Sequence, residues 1–300
     1  MHYTGQVYRP PVEWNTPLLE ITIGCSHNKC AFCTMYRRTP FRVSPLEDIE
    51  SDLQEMLAEY GSDLKRIYLL NGDPFVLSTK KLLEISDLIH RYFPKMETMS
   101  CYSSINDVRN KSLDELKTLR QAGYDELYFG LETGYDPALK IMNKGFTAAE
   151  EYEHLAKVKE AGMKYAALLM PGVAGRGNGE ANALATAKLL NTIKPFSVLI
   201  FTTSVADDSD LAKIRDRGEF TEATERENFE EIKLLLRSLD MPDDCFFFGS
   251  HPFDLIPVSG HFKDKERIIA HIDNEMKRMP PYFLDGVYTV SYTHLRAHET

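Results

Sequence analysis

Short apolar runs alternate with amphipathic segments of helix length along the first two thirds of the chain. Each run is followed by a polar loop and then by a helical segment, at a spacing of about 30 residues. This alternation predicts βαβ units that form a parallel sheet with right-handed crossovers. The predicted strands are 18–23, 66–70, 97–102, 126–131, 165–170 and 197–202, and the helical segments lie at about 45–60, 79–92, 112–121, 147–161 and 180–191.

Six such units between residues 18 and 215 are too few for a closed eight-unit barrel, whereas a partial barrel and a doubly wound sheet both fit. In either fold, reactive groups are expected on loops that leave the carboxyl ends of the strands. The remainder differs, because helical patterns near 225–239 and 263–277 flank a proline-interrupted stretch. The predicted organisation is therefore a lead-in over 1–17, an α/β core over 18–215 and an α-rich C-terminal extension over 216–290.

Composition and charge limit the possible partners. The 300 residues are 43% hydrophobic and carry a formal net charge of -10, which argues for a globular protein and against a large phosphate-binding surface. No apolar run approaches the length of a membrane helix, and five cysteines do not make a secreted disulfide framework, so a cytoplasmic location is predicted. Residues 291–300 resemble a translated sequencing-adapter fragment and are predicted to be a non-native tail.

Three cysteines follow the first predicted strand within nine positions. Cys25, Cys30 and Cys33 have the spacing C-x4-C-x2-C, and three thiolates so placed suit one soft metal centre. Structural zinc needs a fourth ligand, for which only His27 is near. A dithiol pair of Cys30 and Cys33 would leave Cys25 unused.

A four-cysteine electron-transfer cluster is a further alternative. It would need Cys101 or Cys245 as the fourth ligand, and both lie far from the loop in the sequence. Three cysteines alone leave one iron with an open coordination position, which indicates chemistry at the metal.

The loop resembles that of radical SAM enzymes, whose usual signature is C-x3-C-x2-C with an aromatic residue before the last cysteine. Phe32 supplies the aromatic residue, and one extra residue between Cys25 and Cys30 departs from the pattern. The resemblance implies a partial (β/α)6 TIM-like barrel and a [4Fe-4S] cluster on the three cysteines. It also implies reductive cleavage of S-adenosylmethionine (SAM) to a 5'-deoxyadenosyl radical, with an electron donor of the flavodoxin or ferredoxin type.

A second motif follows the second predicted strand as Asn71-Gly72-Asp73-Pro74. Its sequence alone is typical of a turn. It is also similar to the GGE-like motif of radical SAM proteins, and the resemblance implies that Asn71, Gly72 and Asp73 bind the methionine amino group of SAM. An ammonium group requires carbonyl and carboxylate acceptors, and glycine permits close approach of the backbone.

Two later strand ends carry further candidates. The segment 129–145 resembles the fourth-strand region of radical SAM proteins related to coproporphyrinogen dehydrogenase and elongator-type proteins, which implies that Glu132 contacts the SAM ribose or amino group. An ion pair with a neighbouring Lys or Arg is the alternative. The glycine-rich loop after 165–170 does not fit G-x-G-x-x-G, and the resemblance places Pro171 and Gly172 beside adenine.

Other polar residues have structural interpretations. Ser103 and Asn106 follow the third strand, where they either meet the ribose or cap a turn. His251, His261 and Asp254 do not share a metal-binding spacing and are predicted to form loop hydrogen bonds.

The substrate is not encoded in a motif. The chain lacks the additional cysteines of methylthiotransferases and of peptide-maturing enzymes. A porphyrinogen and a tRNA both remain possible substrates, and the negative net charge favours a small molecule over tRNA.

Overall fold

The structure is a computed structural model that describes residues 1–251 and 254–287, so the tail at 291–300 lies outside the described residues. Five of the six predicted strands and all five predicted core helices are present, the first predicted strand is divided in two, and short helices occur as well. The strands are β1 (Leu18–Leu19), β2 (Thr22–Ile23), β3 (Arg42–Val43), β4 (Arg66–Leu69), β5 (Thr98–Ser103), β6 (Glu126–Glu132), β7 (Lys164–Leu169), β8 (Ser197–Ile200), β9 (Phe246–Gly249) and β10 (Val258–His261). The helices are α1 (Leu46–Tyr60), α2 (Thr79–Tyr92), α3 (Ile105–Arg109), α4 (Leu113–Gln121), α5 (Asp136–Ile141), α6 (Ala148–Glu160), α7 (Gly179–Ile193), α8 (Asp210–Asp216), α9 (Glu225–Ser238), α10 (Lys265–Arg278) and α11 (Pro281–Leu284).

The main sheet has the strand order β1-β4-β5-β6-β7-β8-β9-β10. Neighbouring strands β1, β4, β5 and β6 are parallel, and one register line passes through Leu19, Leu69, Cys101 and Leu127. Helical segments separate these strands in the chain, as parallel crossovers require. The predicted α/β fold with a mostly parallel sheet is confirmed.

The first predicted strand divides in two. Leu18 and Leu19 pair with β4, whereas Thr22 and Ile23 pair antiparallel with β3 in a separate two-stranded sheet. Between them, the Ile21 carbonyl accepts a hydrogen bond from the Ser44 N–H at 3.0 Å. The cysteine loop therefore leaves β2 rather than the end of a strand of the main sheet.

The C-terminal region contributes strands as well as helices. β9 pairs parallel with β8, and β10 pairs antiparallel with β9. The proline-interrupted pattern did not predict these strands, because each has only four residues and β10 is largely polar. No helix among the described residues is both long and apolar enough to cross a membrane.

The chain divides into two compact units. One comprises Met1–Asn28, Met35–Gly130 and Glu153–Ala166, and the other comprises Lys29–Thr34, Leu131–Tyr152 and Ala167–Thr300. The predicted boundary between core and extension near residue 215 stays a prediction.

A buried ion pair lies near the amino ends of strands in the first unit. Glu13, which is 2% exposed, pairs with Arg66 and accepts hydrogen bonds from the hydroxyls of Ser100 and Tyr128, each at 2.9 Å. Burial alone would raise the pKa of Glu13, but the hydrogen bonds from Arg66 and its neighbours outweigh burial and lower it. The lead-in segment is thus fixed to the amino end of β4, opposite the carboxyl end of β4 from which the turn motif leaves.

Candidate functional site

The cysteine loop begins with a sharp bend immediately after β2. Gly24 has a φ of 78°, and a Cβ at this position would lie 2.8 Å from the carbonyl oxygen of Thr39. Only glycine fits both the backbone angle and the close approach. The bend directs the chain into Cys25, which is partly buried and forms no disulfide with a described residue, as is also true of Cys30 and Cys33.

The longer spacing between the first two cysteines includes a residue with a left-handed backbone. Asn28 has a φ of 42°, a conformation that asparagine adopts more readily than most residues. Its side-chain Nδ2 donates a hydrogen bond to the carbonyl oxygen of Tyr36 at 2.8 Å. This contact ties the middle of the four-residue interval to the segment that follows the loop.

The turn after β4 packs directly against Cys25. The Gly72 N–H donates to the Gly24 carbonyl at 3.0 Å, and a Cβ on Gly72 would lie 2.5 Å from the Cβ of Cys25. A larger residue at position 72 would push the turn and the first cysteine apart. The structure therefore brings the predicted SAM-binding turn next to the first predicted cluster ligand.

Asp73 connects this turn to the residue after Cys25. Its buried carboxylate accepts hydrogen bonds from the Ser26 N–H at 2.8 Å and from the Ser26 hydroxyl. Burial raises the pKa of Asp73, and the hydrogen bonds from Ser26, His27 and Cys25 oppose that rise. The carboxyl group is thus oriented toward the cysteine loop.

Asn71 holds the turn to the strand that precedes the loop. It has a φ of 83°, and its Nδ2 donates to the carbonyl oxygen of Thr22 at 2.6 Å and to Glu20 Oε2 at 3.1 Å. These bonds offset the strain of a left-handed backbone in a residue other than glycine. Its side-chain amide therefore contacts the protein, and the predicted role toward SAM stays a prediction.

A second buried carboxyl lies near Asp73 and was not singled out from the sequence. Asp107 caps α3 by accepting from the Ser104 N–H at 2.7 Å, and the Ser103 hydroxyl donates to it at 3.3 Å. Burial, followed by the charge of Asp73, raises the pKa of Asp107 well above its usual value. The available signal was the capping-box pattern Ser104-x-x-Asp107.

The residues after the third parallel strand thus act as helix caps. The Asn106 side chain lies 3.4 Å from the Ser104 hydroxyl, within the same capping box. The contact of Ser103 with Asp107 and that of Asn106 with Ser104 therefore both belong to the capped start of α3, in agreement with the capping interpretation of Ser103 and Asn106.

The second half of the cysteine loop is anchored in the second unit. The Ala31 N–H donates to the Met142 carbonyl at 2.9 Å, and the Ala31 carbonyl accepts from the Leu211 N–H at 2.8 Å. Ala31 is buried in an apolar cluster that includes Val173 and Phe220, against which Phe32 packs. Both main-chain bonds of Ala31 fix the segment between Cys30 and Cys33.

Glu132 ends β6 in a strained conformation and forms an ion pair. It has a φ of 69°, and its Oε1 lies 2.8 Å from Nζ of Lys144. Both side chains are buried, and the Lys144 ammonium lies over the rings of Phe32 at 5.8 Å and Phe146 at 5.5 Å. The ion pair proposed as an alternative from the sequence is therefore present, whereas ligand contact by Glu132 stays a prediction.

Lys144 faces a second buried carboxyl group as well. Burial raises the pKa of Glu151 well above its usual value, and the positive charge of Lys144 opposes this rise. Lys144 thus compensates more than one acidic side chain in a region that excludes water.

The turn after β7 is held by a residue of the C-terminal region. Gly172 has a φ of 80°, and its N–H donates to Glu231 Oε2 at 3.1 Å. A Cβ on Gly172 would lie 2.4 Å from Oδ1 of Asn228. Pro171, Glu132 and Glu231 line the same cavity of about 10 Å³.

The C-terminal histidines form loop hydrogen bonds, as the sequence predicts. The backbone N–H of His251 donates to Asp254 Oδ2 at 2.9 Å, and the Thr202 hydroxyl donates to Asp254 Oδ1 at 2.9 Å. His261 Nδ1 lies 3.1 Å from the carbonyl oxygen of Asp244. Burial lowers the pKa of His251 to about 4, so its ring is neutral at pH 7.

A family model for the radical SAM superfamily matches residues 19–187, which is more than half of the chain. The chain belongs to the radical SAM superfamily. Members of this superfamily bind a [4Fe-4S] cluster and SAM. The matched range contains the cysteine loop, the turn at Asn71 to Asp73, Glu132, and the turn at Pro171 and Gly172.

Known proteins of several kinds resemble the chain. It is 25% identical over 158 residues to the heme chaperone HemW of Bacillus subtilis, covering 51% of this chain and 41% of HemW. The structure of Elp3 from Methanocaldococcus infernus matches with a TM-score of 0.55 and 15% identity, over 87% of this chain and 64% of that chain. Coproporphyrinogen III oxidase (HemN) from Escherichia coli matches with a TM-score of 0.50 and 16% identity, over 66% and 46%. The chain therefore spans less than half of HemW, and the two structures show a shared fold.

The donor atoms of the residues described above are of the kinds that a [4Fe-4S] cluster and SAM require. The loop offers three thiols outside any disulfide of the described residues, and the missing side chain at Gly72 leaves the backbone of the turn in contact with Cys25. Within residues 1–251 and 254–287, no three His, Cys, Asp or Glu side chains are already grouped as a metal site. The fit consequently rests on the thiols and on their spacing in the loop.

The close contact between Gly72 and Cys25 predicts that Gly72→Ala lowers the free energy of unfolding by about 1–3 kcal/mol, because the new methyl group overpacks a contact between two backbone segments. Denaturant unfolding under anaerobic, reducing conditions measures the change. The control is Gly260→Ala, where the nearest atom is the flexible end of Ile268 at 3.3 Å. Equal stabilities of the two variants would contradict this packing.

The buried ion pair predicts that Lys144→Met destabilises the protein by about 3–5 kcal/mol, since it leaves Glu132 charged and uncompensated. The double variant Lys144→Met/Glu132→Gln should recover most of this loss. Thermal or denaturant unfolding of Lys144→Met, Glu132→Gln and the double variant tests the coupling. Additive effects of the two substitutions would show that the pair is not coupled.

The environment of Glu231 predicts a pH dependence of stability. Burial raises the pKa of Glu231 from the usual 4.5 to about 7 in the folded chain. The native state therefore binds the proton that the unfolded state has lost between these two pH values, so the free energy of unfolding falls as pH rises through this window, by roughly 3 kcal/mol. The difference in unfolding free energy between wild type and Glu231→Gln should show this fall. A difference that is constant from pH 4.5 to 7.5 would argue against it.

Proposed function

We propose that this chain is a radical SAM enzyme that holds a [4Fe-4S] cluster on Cys25, Cys30 and Cys33. When bound and reduced, the cluster supplies the electron that splits SAM into methionine and a 5'-deoxyadenosyl radical, which takes a hydrogen atom from the substrate. The observation that carries the proposal is the three-thiol loop within a segment matched by the superfamily model. Three ligands leave one iron open to SAM.

The turn after β4 is proposed to receive the methionine part of SAM. Asp73 presents a buried carboxyl beside Cys25, and the left-handed residue Asn71 turns the backbone at the same place. An ammonium group is stabilised by carbonyl and carboxylate acceptors in such a low-dielectric turn. The contact of Gly72 with Cys25 supports a location next to the cluster.

The ends of β6 and β7 are proposed to receive the adenosine part. Glu132 offers a carboxylate oriented by Lys144, and the turn at Pro171 and Gly172 offers backbone groups. The Gly172 N–H already donates to Glu231, and the carbonyl oxygens of Pro171 and Gly172 each accept one backbone hydrogen bond, so a ligand would use the second lone pair of these carbonyls. Burial of these groups also excludes water from the reaction.

The proposed substrate is a small molecule, and the proposed electron donor is a flavodoxin or ferredoxin. The formal net charge of -10 disfavours an extended phosphate-binding surface of the type that tRNA requires. The matched relatives include a heme chaperone and a tRNA uridine(34) acetyltransferase, so the substrate class is set by features outside the shared fold.

Anaerobic reconstitution tests the proposal. The wild-type chain should take up iron and sulfide to the [4Fe-4S] complement and, once reduced by dithionite, convert SAM to methionine and 5'-deoxyadenosine. Cys33→Ala should lose the iron and at least 100-fold of the SAM cleavage, because one of three thiolate ligands is missing. The control Cys245→Ala, which removes a buried thiol outside the loop, should retain both.

Two other outcomes would replace the proposal. A colourless protein that holds stoichiometric zinc would indicate a zinc-stabilised module. An iron-free protein in which Cys30 and Cys33 form a reversible disulfide would indicate a dithiol oxidoreductase. Iron uptake by Cys33→Ala equal to that of wild type would refute the ligand assignment.

A further inference from the structure

Glu231 has a buried carboxyl group and lies far in the sequence from the turn and the helix that it contacts. It belongs to α9 and is 6% exposed. Each of its two oxygens accepts one hydrogen bond: Oε2 from the Gly172 N–H at 3.1 Å and Oε1 from Nδ2 of Asn182 at 2.7 Å. One carboxyl group thus joins the turn after β7 to the helix that follows it.

The hydrogen bonds continue from Asn182 to the end of β6. The Thr133 hydroxyl donates to Asn182 Oδ1, and Thr133 directly follows Glu132. Thr186, one turn further along α7, accepts from the Gly134 N–H at 3.0 Å. Glu231 is therefore linked through Asn182 to the residues that end β6.

Glu231 and Glu132 also line one cavity. The cavity is about 10 Å³ in volume, which is about the size that holds one water molecule. Pro171, Asn182 and Thr186 also line this cavity. Since the space is so small, movement of Glu231 displaces the groups around it.

We propose that Glu231 is a positioning residue that sets the turn at Gly172 and the end of β6, and thereby the affinity of the chain for the adenosine part of SAM. This inference rests on the proposed function, because Glu132, Pro171 and Gly172 are its proposed SAM contacts. Glu231 itself does not need to touch SAM. It acts through two hydrogen bonds that only an ionised carboxyl group accepts fully at both oxygens.

The ionisation of Glu231 falls within an accessible pH range. Burial raises its pKa to about 7, and hydrogen bonds from Asn182 and Gly172 oppose that rise. The charged groups that face it are Glu227 on its own helix and Glu132, which is paired with Lys144. The facing residues of α7 and of the turn after β7 are uncharged.

The expected pH effect has a definite sign. Below pH 7 a protonated Glu231 directs an O–H toward one of two N–H donors, so one hydrogen bond is lost. SAM affinity of the wild type should therefore decrease as pH falls from 8 to 6.

Glu231→Gln tests the inference on the chain reconstituted with its cluster. The amide keeps the size of the side chain but places an NH₂ group against an N–H donor at every pH. We expect SAM to bind about tenfold more weakly at pH 8, as measured by equilibrium dialysis, and the pH dependence between 6 and 8 to disappear. Iron content and the rate of SAM cleavage at saturating SAM should stay close to wild type, because the variant changes affinity rather than the cluster.

Two further variants make the result specific. Glu231→Asp keeps an ionisable carboxyl group on a shorter side chain, so it should bind SAM with reduced affinity but retain a pH dependence. It also serves if Glu231→Gln does not fold. Glu230→Gln is the matched control on the same helix, because its exposed carboxylate pairs with Lys233, which Asp273 still holds at 2.7 Å. This control should bind SAM as the wild type does.

The outcomes separate the inference from the proposed function. If the reconstituted wild type fails to bind and cleave SAM, the proposed function fails, and the inference with it. If the wild type binds SAM and Glu231→Gln binds it equally well from pH 6 to 8, only the inference is overturned. Weaker binding by Glu230→Gln to the same extent would likewise overturn it, since the effect would then be a general one of the helix.

Discussion

Left-handed backbone turns after strands are the constraint on which the candidate site residues of each unit depend. Gly24 and Asn71 in one unit, and Glu132 and Gly172 in the other, each have positive φ at or just beyond a strand end. Glycine adopts this conformation without steric cost, whereas Asn and Glu are strained by roughly 1–2 kcal/mol. The strained residues persist because side-chain bonds hold them, as Lys144 does for Glu132. The turns at Asn71, Glu132 and Gly172 therefore place backbone carbonyls and carboxyl groups at ends of strands in the main sheet, where parallel strands present their active sites.

Side chains proposed to contact SAM already have partners inside the protein. Asp73 accepts from Ser26, and Glu132 is paired with Lys144. A carboxylate has about four acceptor positions, so the ion pair orients Glu132 and leaves lone pairs for a ligand, whereas Asp73 already accepts hydrogen bonds from Ser26, His27 and Cys25. Orientation in advance lowers the entropic cost of binding a flexible cofactor. At Glu132 the contact inside the protein and the proposed contact with SAM are thus compatible, whereas SAM would have to replace a hydrogen bond at Asp73.

Local pattern was sufficient to predict much of the fold and part of the site. Hydrophobic periodicity located the parallel strands, and turn chemistry marked the segment around Gly72, because both depend on neighbouring residues. Glu231 was missed because its partner Gly172 lies 59 residues away. In the sequence, Glu231 is recognisable only as a polar residue on the buried face of α9, one turn before Leu235. The sequence indicated only an unspecified Lys or Arg as the partner of Glu132, and the burial of Lys144 and of Asp107 was not predicted, since burial of a charged residue is a property of tertiary contacts.

Residues of the C-terminal region form hydrogen bonds with the loops that follow β7 and β8. Glu231 holds the turn after β7, and Asp254 accepts from Thr202, which follows β8. Both acidic residues lie beyond residue 215, where the sequence pattern changes, and both bond to loops that precede it. The loop after β7 contains glycine and proline but few side chains able to satisfy its own N–H groups, so its buried N–H groups require acceptors from elsewhere. Carboxyl groups from the C-terminal region meet this requirement, and the geometry of the proposed adenosine site consequently depends on residues that the superfamily match at 19–187 does not include.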